Sequence, residues 1–291
     1  MKMRVLLLLA GLLALGCGAD PKAQSGAAAG PTDEHKAQIR RFWELYNRAT
    51  DLRLKGEWAA AAGQYQEALA VDGRHEDSLY YLGNAFFELG RFQEAADTWK
   101  RLIETNPNQS SRAHAQLGML YSCGAPGTPF DLALAERELH QALAINKEES
   151  GPVIKLGEVA LLRGDRRQAL EYLSAGRNLN FKSVQANYLI GYLKWVSGDA
   201  AGALKELKQA ADFALAAKPP PEASGEGDTK KKGPLLAKGV GSRGLLTASW
   251  KSLDDWPKDA VNPAKVQEEY QRFDQRLQEV GRQFSQGEKG R

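Results

Sequence analysis

Apolar and small residues recur along residues 32–217 with the spacing of amphipathic helices, and glycine-led polar turns interrupt them at regular intervals. Gly56 and Gly90 are 34 residues apart, and Gly164 and Gly198 are again 34 residues apart. An alanine follows each of these glycines five residues later. A fixed period of this length indicates a stack of repeated supersecondary units, each made of two helices and a short turn.

The second unit, residues 76–109, carries the pattern most completely. Gly83 and Ala95 are small where two paired helices would touch, Gly90 would turn the chain between them, and Pro107 would end the second helix. The unit resembles the tetratricopeptide repeat, a helix–turn–helix of 34 residues. The resemblance implies an all-α superhelix (a solenoid) of about five repeats. The repeats lie near residues 42–75, 76–109, 111–149, 150–183 and 184–217.

Two parts of the array depart from the regular unit. The third repeat has 39 residues, five more than the period, and residues 122–129 supply the excess, so a longer loop is predicted there. The segment Pro31-Thr32-Asp33-Glu34 is typical of a helix start, so the array is predicted to begin at residue 32. Residues 18–31 and 218–261 are rich in Gly, Pro, Ser or Lys, which predicts a tether and a linker.

The resemblance also implies a working surface, because the first helix of each repeat lines the concave groove in this family. Carried onto this sequence, the groove positions are rich in aromatic residues, which suits recognition of an apolar helix or extended segment. Only one asparagine matches the clamp that holds carboxylate tails in some members. The alternative is that some of these side chains pack between helices. The predicted groove residues are Trp43, Tyr46, Tyr80, Asn84, Phe87, Tyr188, Tyr192 and Trp195.

The tail contains one further amphipathic helix, predicted over residues 262–286 and opened by Asn262-Pro263. Its apolar residues recur at steps of four and three, so they form a single stripe. Such a helix gains most of its stability by burying that stripe. We expect docking in cis, in the groove or over the last repeat; a coiled coil with a second copy and another protein are the alternatives. The stripe consists of Val266, Tyr270, Phe273, Leu277, Val280 and Phe284.

The N-terminus predicts a lipid anchor. Met1 to Arg4 is cationic, residues 5–16 are apolar or small and too short to span a bilayer, and Cys17 follows at once. This resembles the bacterial lipoprotein signal, in which the cysteine is acylated and becomes the first residue of the mature protein. Gly18 after the cysteine favours the outer membrane, facing the periplasm. An ordinary secretory signal with an incidental cysteine is the alternative.

Composition narrows the chemistry. The 291 residues have a formal net charge of +3, which argues against a nucleic-acid binder, and two cysteines exclude a disulfide framework. The four histidines are dispersed, Cys123 stands alone in the stretched loop, and no strand precedes the GxGxxG string at 239–244. We therefore expect no cofactor or metal and a non-enzymatic scaffold that binds envelope proteins. A pilotin-like assembly factor for an outer-membrane secretin is the alternative, followed by an envelope enzyme with catalysis in the tail.

Overall fold

A computed structural model describes residues 32–216 and 262–288, with side chains through residue 282 in the second range. The predicted signal sequence, tether and linker, including Cys17, lie outside these residues. The described residues form eleven α-helices. The helices are α1 (Asp33–Lys55), α2 (Trp58–Val71), α3 (Glu76–Glu88), α4 (Phe92–Thr105), α5 (Ser111–Tyr121), α6 (Leu132–Ile145), α7 (Ser150–Leu162), α8 (Arg166–Leu179), α9 (Val184–Val196), α10 (Ala200–Ala216) and α11 (Pro263–Glu288).

Helices α1 to α10 form five hairpins, each joining an odd-numbered helix to the next helix in the chain. The second helix of each hairpin packs against the first helix of the following hairpin. This nearest-neighbour packing is the architecture of a helical solenoid, and it confirms the predicted fold class. The array starts where the sequence indicated, because the Thr32 side chain caps α1 by accepting the backbone N–H of His35 at 3.2 Å.

Four of the five hairpins turn on a glycine in the left-handed region of backbone conformation. The φ angles are 79° at Gly56, 75° at Gly90, 81° at Gly164 and 86° at Gly198. A side chain with a Cβ rarely adopts this conformation, which accounts for the glycine at each repeat. The third hairpin has the longer loop between Tyr121 and Leu132 that the sequence predicted, and its left-handed glycine, Gly127 with a φ of 83°, lies inside that loop.

Glycines in the first helix of a repeat let the second helix approach closely. A Cβ on Gly83 would overlap Trp99 Nε1 and lie 2.6 Å from Trp99 Cδ1, and one on Gly118 would lie 2.5 Å from Leu139 Cγ. Real Cβ atoms do not approach other heavy atoms so closely, so these positions exclude even alanine in the unperturbed structure. The small residue in each unit is therefore a packing requirement.

The buried residues fall into two clusters that meet at α7. Tyr65 and Trp99 belong to the first cluster, and Leu173 and Tyr188 belong to the second. Helix α7 is buried without interruption from Pro152 to Leu161, and it contributes residues to both clusters. A helix buried on every side needs a covering layer on its concave face as well. Helix α11 supplies contacts there.

Candidate peptide-binding groove

The first part of the concave surface is open and aromatic. Trp43 is 48% exposed, and Tyr46 and Tyr80 are half-buried. The Trp43 and Tyr46 rings meet edge to face with centroids 5.7 Å apart, and the His75 ring lies 5.1 Å from Tyr46. These rings are held by α1, α3 and the turn before α3, so they are fixed by the solenoid and also reach its surface. We call Trp43, Tyr46, Tyr80 and Asn84 the N-terminal groove.

Polar contacts from the third repeat orient Tyr80. Arg112 donates to Asp77 at 2.8 Å, and its guanidinium lies 4.5 Å above the Tyr80 ring centre. Gln116 Nε2 donates to the Tyr80 hydroxyl at 2.9 Å. Burial, and then the Asp77 carboxylate, raise the pKa of Tyr46, so its hydroxyl stays protonated at neutral pH. The N-terminal groove therefore presents the protonated hydroxyl of Tyr46 and, at Tyr80, a ring beside a paired Arg112 and Asp77.

Asn84 adds a hydrogen-bond acceptor to this surface. Its Oδ1 is buried and accepts no hydrogen bond from the described residues. A buried acceptor without a donor costs about 1–3 kcal/mol. A ligand N–H would satisfy it once the Asn84 side chain turned towards the groove.

Phe87 does not belong to this surface, so its prediction as a groove residue is wrong. The side chain is fully buried, with its ring centroid 5.4 Å from Phe92 and 6.2 Å from Trp99. Phe87 is the second-last residue of α3, where the chain turns back into α4, and its ring fills the inside of that hairpin. Packing the ring against two buried aromatic residues is more favourable in free energy than leaving it exposed to water on the groove.

The last part of the concave surface is occupied by α11 of the same chain. Tyr188 and Tyr192 are fully buried, which differs from the open groove expected there, and Trp195 is half-buried. We call these three residues of α9 the α9 aromatic cluster. The Tyr270 and Phe273 rings of α11 lie within 6.2 Å of its rings, the shortest centroid distance being 4.6 Å between Tyr192 and Phe273.

Helix α11 buries the stripe that the sequence singled out. Val266, Tyr270, Phe273 and Val280 are buried and Leu277 is partly buried, while the side chain of Phe284 lies outside the described residues. The Tyr270 hydroxyl reaches deepest and donates to the Tyr188 carbonyl at 3.0 Å. The stripe thus docks in cis on the fourth and fifth hairpins.

Comparison with known proteins agrees with this architecture. Residues 46–110 match the sequence profile described as tetratricopeptide repeat. The array has the fold of a tetratricopeptide-repeat solenoid. No curated protein matches the sequence.

Solved tetratricopeptide-repeat structures resemble the chain in fold. The crystal structure of PilW, a widely conserved type IV pilus biogenesis factor, superposes with a TM-score of 0.50 at 16% identity, covering 60% of this chain and 81% of PilW. MamA from Desulfovibrio magneticus RS-1 gives 0.49 at 16% identity, over 60% of this chain and 96% of MamA. YrrB, a tetratricopeptide-repeat protein with an unusual peptide-binding site, gives a TM-score of 0.45 at 20% identity, covering 61% of this chain and 92% of YrrB.

The sequence did not indicate the polar contacts that flank the α11 stripe. Tyr188 Oη donates to Glu269 at 2.9 Å, Tyr192 Oη donates to Asp274 at 2.6 Å, and Trp195 Nε1 donates to a third residue of α11, Gln267, also at 2.6 Å. Burial, and then these carboxylates, raise the pKa values of both tyrosines well above the ordinary value, so both hydroxyls remain donors. The available signal was the acidic residue next to two of the three aromatic residues of the stripe, Tyr270 and Phe273.

Within residues 32–216 and 262–288, no group of three His, Cys, Asp or Glu side chains is arranged to hold a metal. In the same ranges no helix has the length and apolar character needed to cross a bilayer. Cys123 is buried in the loop of the third repeat.

Proposed function

We propose that this tetratricopeptide-repeat protein is a non-enzymatic adaptor, anchored in the bacterial envelope by lipid on Cys17, whose N-terminal groove binds an apolar helix or extended segment of an envelope protein. The observation that carries the proposal is the exposure of Trp43 beside Tyr46 on α1, with Tyr80 half-buried on α3, the first helix of the next repeat. Contiguous exposed aromatic residues on a folded protein usually mark a binding site.

The other end of the same surface supports the kind of ligand. There the concave helix α9 holds an amphipathic helix through ring contacts and tyrosine hydroxyls. The N-terminal groove offers aromatic rings and the protonated Tyr46 hydroxyl, and it contains the unsatisfied Asn84 acceptor. An aromatic helix or extended chain with free N–H donors matches this surface.

The membrane part of the proposal rests on the sequence of residues 1–17. A diacylated or triacylated cysteine holds a protein on a bilayer far more firmly than a single chain, because each buried CH₂ contributes about 0.8 kcal/mol. Gly18 after the cysteine supports an outer-membrane location facing the periplasm. Cys17→Ala should move the protein from the membrane fraction to the soluble fraction. Retention of the variant in membranes would contradict the anchor.

The binding part is tested by capture from native membranes. We expect the protein to cross-link specifically to one envelope protein, and Trp43→Ala with Tyr80→Ala to reduce the cross-linked product about tenfold or more, as for central aromatic residues of interfaces. Leu54→Ala is the matched control, because Leu54 is 51% exposed on the same helix as Trp43 but is not one of the residues that form the N-terminal groove.

Two results would contradict this binding role. One is equal capture by the double variant and the Leu54→Ala control. The other is the absence of any specific product from the wild-type protein. If the captured protein is a secretin subunit, loss of secretin multimers in a deletion strain would identify the adaptor as an assembly factor.

A further inference from the structure

The contact between α11 and the α9 aromatic cluster has the composition of a specific helix-binding site. Four hydrogen bonds join the two elements: three run from the cluster to Glu269, Asp274 and Gln267, and one returns from Tyr270 to the Tyr188 carbonyl. Tyr270 and Phe273 are both fully buried in it. Aromatic anchors surrounded by directional polar contacts are the features that give interfaces their affinity and register.

The site has a steric element that fixes register. A Cβ on Gly191 would overlap the Tyr270 hydroxyl and would lie 3.1 Å from Glu206 Cβ. In the second, third and fourth hairpins, the space next to the equivalent glycine is filled by a side chain from the second helix of the same hairpin, as Trp99 fills the space at Gly83. In the fifth hairpin this space admits a tyrosine from a separate helix. Gly191 thus forms a socket for one aromatic side chain.

The occupant is not held between two repeats of the solenoid. Helix α11 is the last described helix, and it contacts α7, α9 and α10 but is not enclosed between two hairpins. The 45 residues 217–261 separate it from α10 in sequence, so it is held by its own contacts. Terminal elements with few contacts open at lower free energy than the core they cover. Its departure would uncover two tyrosines and a tryptophan on one helix.

We propose that the α9 aromatic cluster is a second ligand site, that α11 is its replaceable intramolecular occupant, and that its outside ligand is an acidic amphipathic helix. The ligand carries the pattern seen in α11: an acidic residue, an aromatic residue, two residues of any type, an aromatic residue and an acidic residue. In α11 these are Glu269, Tyr270, Phe273 and Asp274. The hydroxyls of Tyr188 and Tyr192 bind the two carboxylates, and the Gly191 socket accommodates the first aromatic side chain.

Tethering sets the threshold that such a ligand must exceed. A linked helix competes at an effective concentration on the order of millimolar. A free helix of equal affinity therefore binds the wild-type chain poorly at micromolar concentration. Weakening α11 in the chain removes the competitor and reveals the site.

The test uses a fluorescein-labelled peptide of residues 262–288 and the full chain, followed by fluorescence anisotropy. Tyr270→Ala in the chain should increase peptide affinity about tenfold or more over the wild type, because the internal helix loses its main anchor. Adding Tyr188→Ala and Tyr192→Ala should abolish that gain. A peptide with Glu269→Gln and Asp274→Asn should bind less tightly than the unmodified peptide.

Trp43→Ala separates this site from the N-terminal groove: it should leave peptide binding to the Tyr270→Ala chain unchanged, and a loss would overturn the assignment to α9. No peptide binding by a Tyr270→Ala chain with wild-type helical circular dichroism would also overturn it. A Tyr270→Ala variant that lowers the single unfolding transition of the whole array would show α11 to be part of the solenoid. Concentration-dependent dimers formed by exchange of α11 would assign the site to a second copy instead.

Discussion

Gly191 and Gly118 occupy the same position in two hairpins, yet alanine at each should affect a different part of the molecule. At Gly118 the new methyl group would meet Leu139 Cγ at 2.5 Å and the Ala135 carbonyl at 3.1 Å, both within the third hairpin. At Gly191 it would meet the Tyr270 hydroxyl of α11 first. Gly118→Ala should therefore destabilise the array, and Gly191→Ala should destabilise the docking of α11.

The magnitude follows from two contributions. Forcing a methyl group into a packed site costs about 1–3 kcal/mol. Displacing the Tyr270 hydroxyl also breaks its hydrogen bond to the Tyr188 carbonyl, a net loss of about 1 kcal/mol. The sum, about 2–4 kcal/mol, corresponds to a shift of roughly 30- to 1000-fold in the docking equilibrium, since each 1.4 kcal/mol is about tenfold.

Amide hydrogen exchange resolved by peptide mass spectrometry measures both effects. In Gly191→Ala, protection should fall across 263–282 and change little in α5 and α6. In Gly118→Ala, protection should fall in α5, α6 and the neighbouring hairpins. Unchanged protection of α11 in Gly191→Ala would refute the reasoning, and so would an equal loss throughout the array.

Two further predictions concern stability. Burial by itself would raise the pKa of Glu138, but hydrogen bonds with His114 and Arg137 lower that pKa overall. Ionised Glu138 therefore stabilises the folded protein above the pKa of an unfolded glutamate, about 4.3. This stabilisation is lost as the pH falls towards the lower pKa of Glu138 in the folded protein. Urea unfolding measured between pH 7 and 3 should show this loss as a lower free energy of unfolding. A Glu138→Gln chain whose free energy of unfolding falls as steeply with pH as that of the wild type would contradict it. Trp99→Ala should cost about 3–5 kcal/mol by urea unfolding because the ring is fully buried, and Trp43→Ala, on a half-exposed ring, should cost less than about 1 kcal/mol; equal costs would contradict the burial assignment.

The array was predictable because its constraints are local and repeated. Each left-handed turn requires a glycine and each close helix pair requires a small residue, so Gly56, Gly83 and Gly90 appear in the sequence at fixed offsets. The start of α11 was predictable for a related reason. Asn262 and Pro263 define its start, and its stripe has a single period.

The exposure of the individual groove residues was not predictable from the same pattern. Repeat position places Trp43 and Tyr192 on the same concave surface, yet one is half-exposed and the other is fully buried. The difference depends on where α11 docks, a contact between residues about 80 apart in sequence that periodicity does not encode. Phe87 was misassigned for a local reason, since the end of a helix can direct a ring into the hairpin as readily as onto the groove.

Burial of α7 on every side has a consequence for how the solenoid unfolds. Leu156 and Val159 belong to the first buried cluster, and Ile154 and Leu161 belong to the second, so one helix forms part of two cores. In a linear array, stability is a sum of repeat terms and nearest-neighbour couplings. Helix α7 carries the coupling between the two halves of this array. Loosening it would convert one cooperative transition into two, with hairpins one to three and hairpin five melting as separate units.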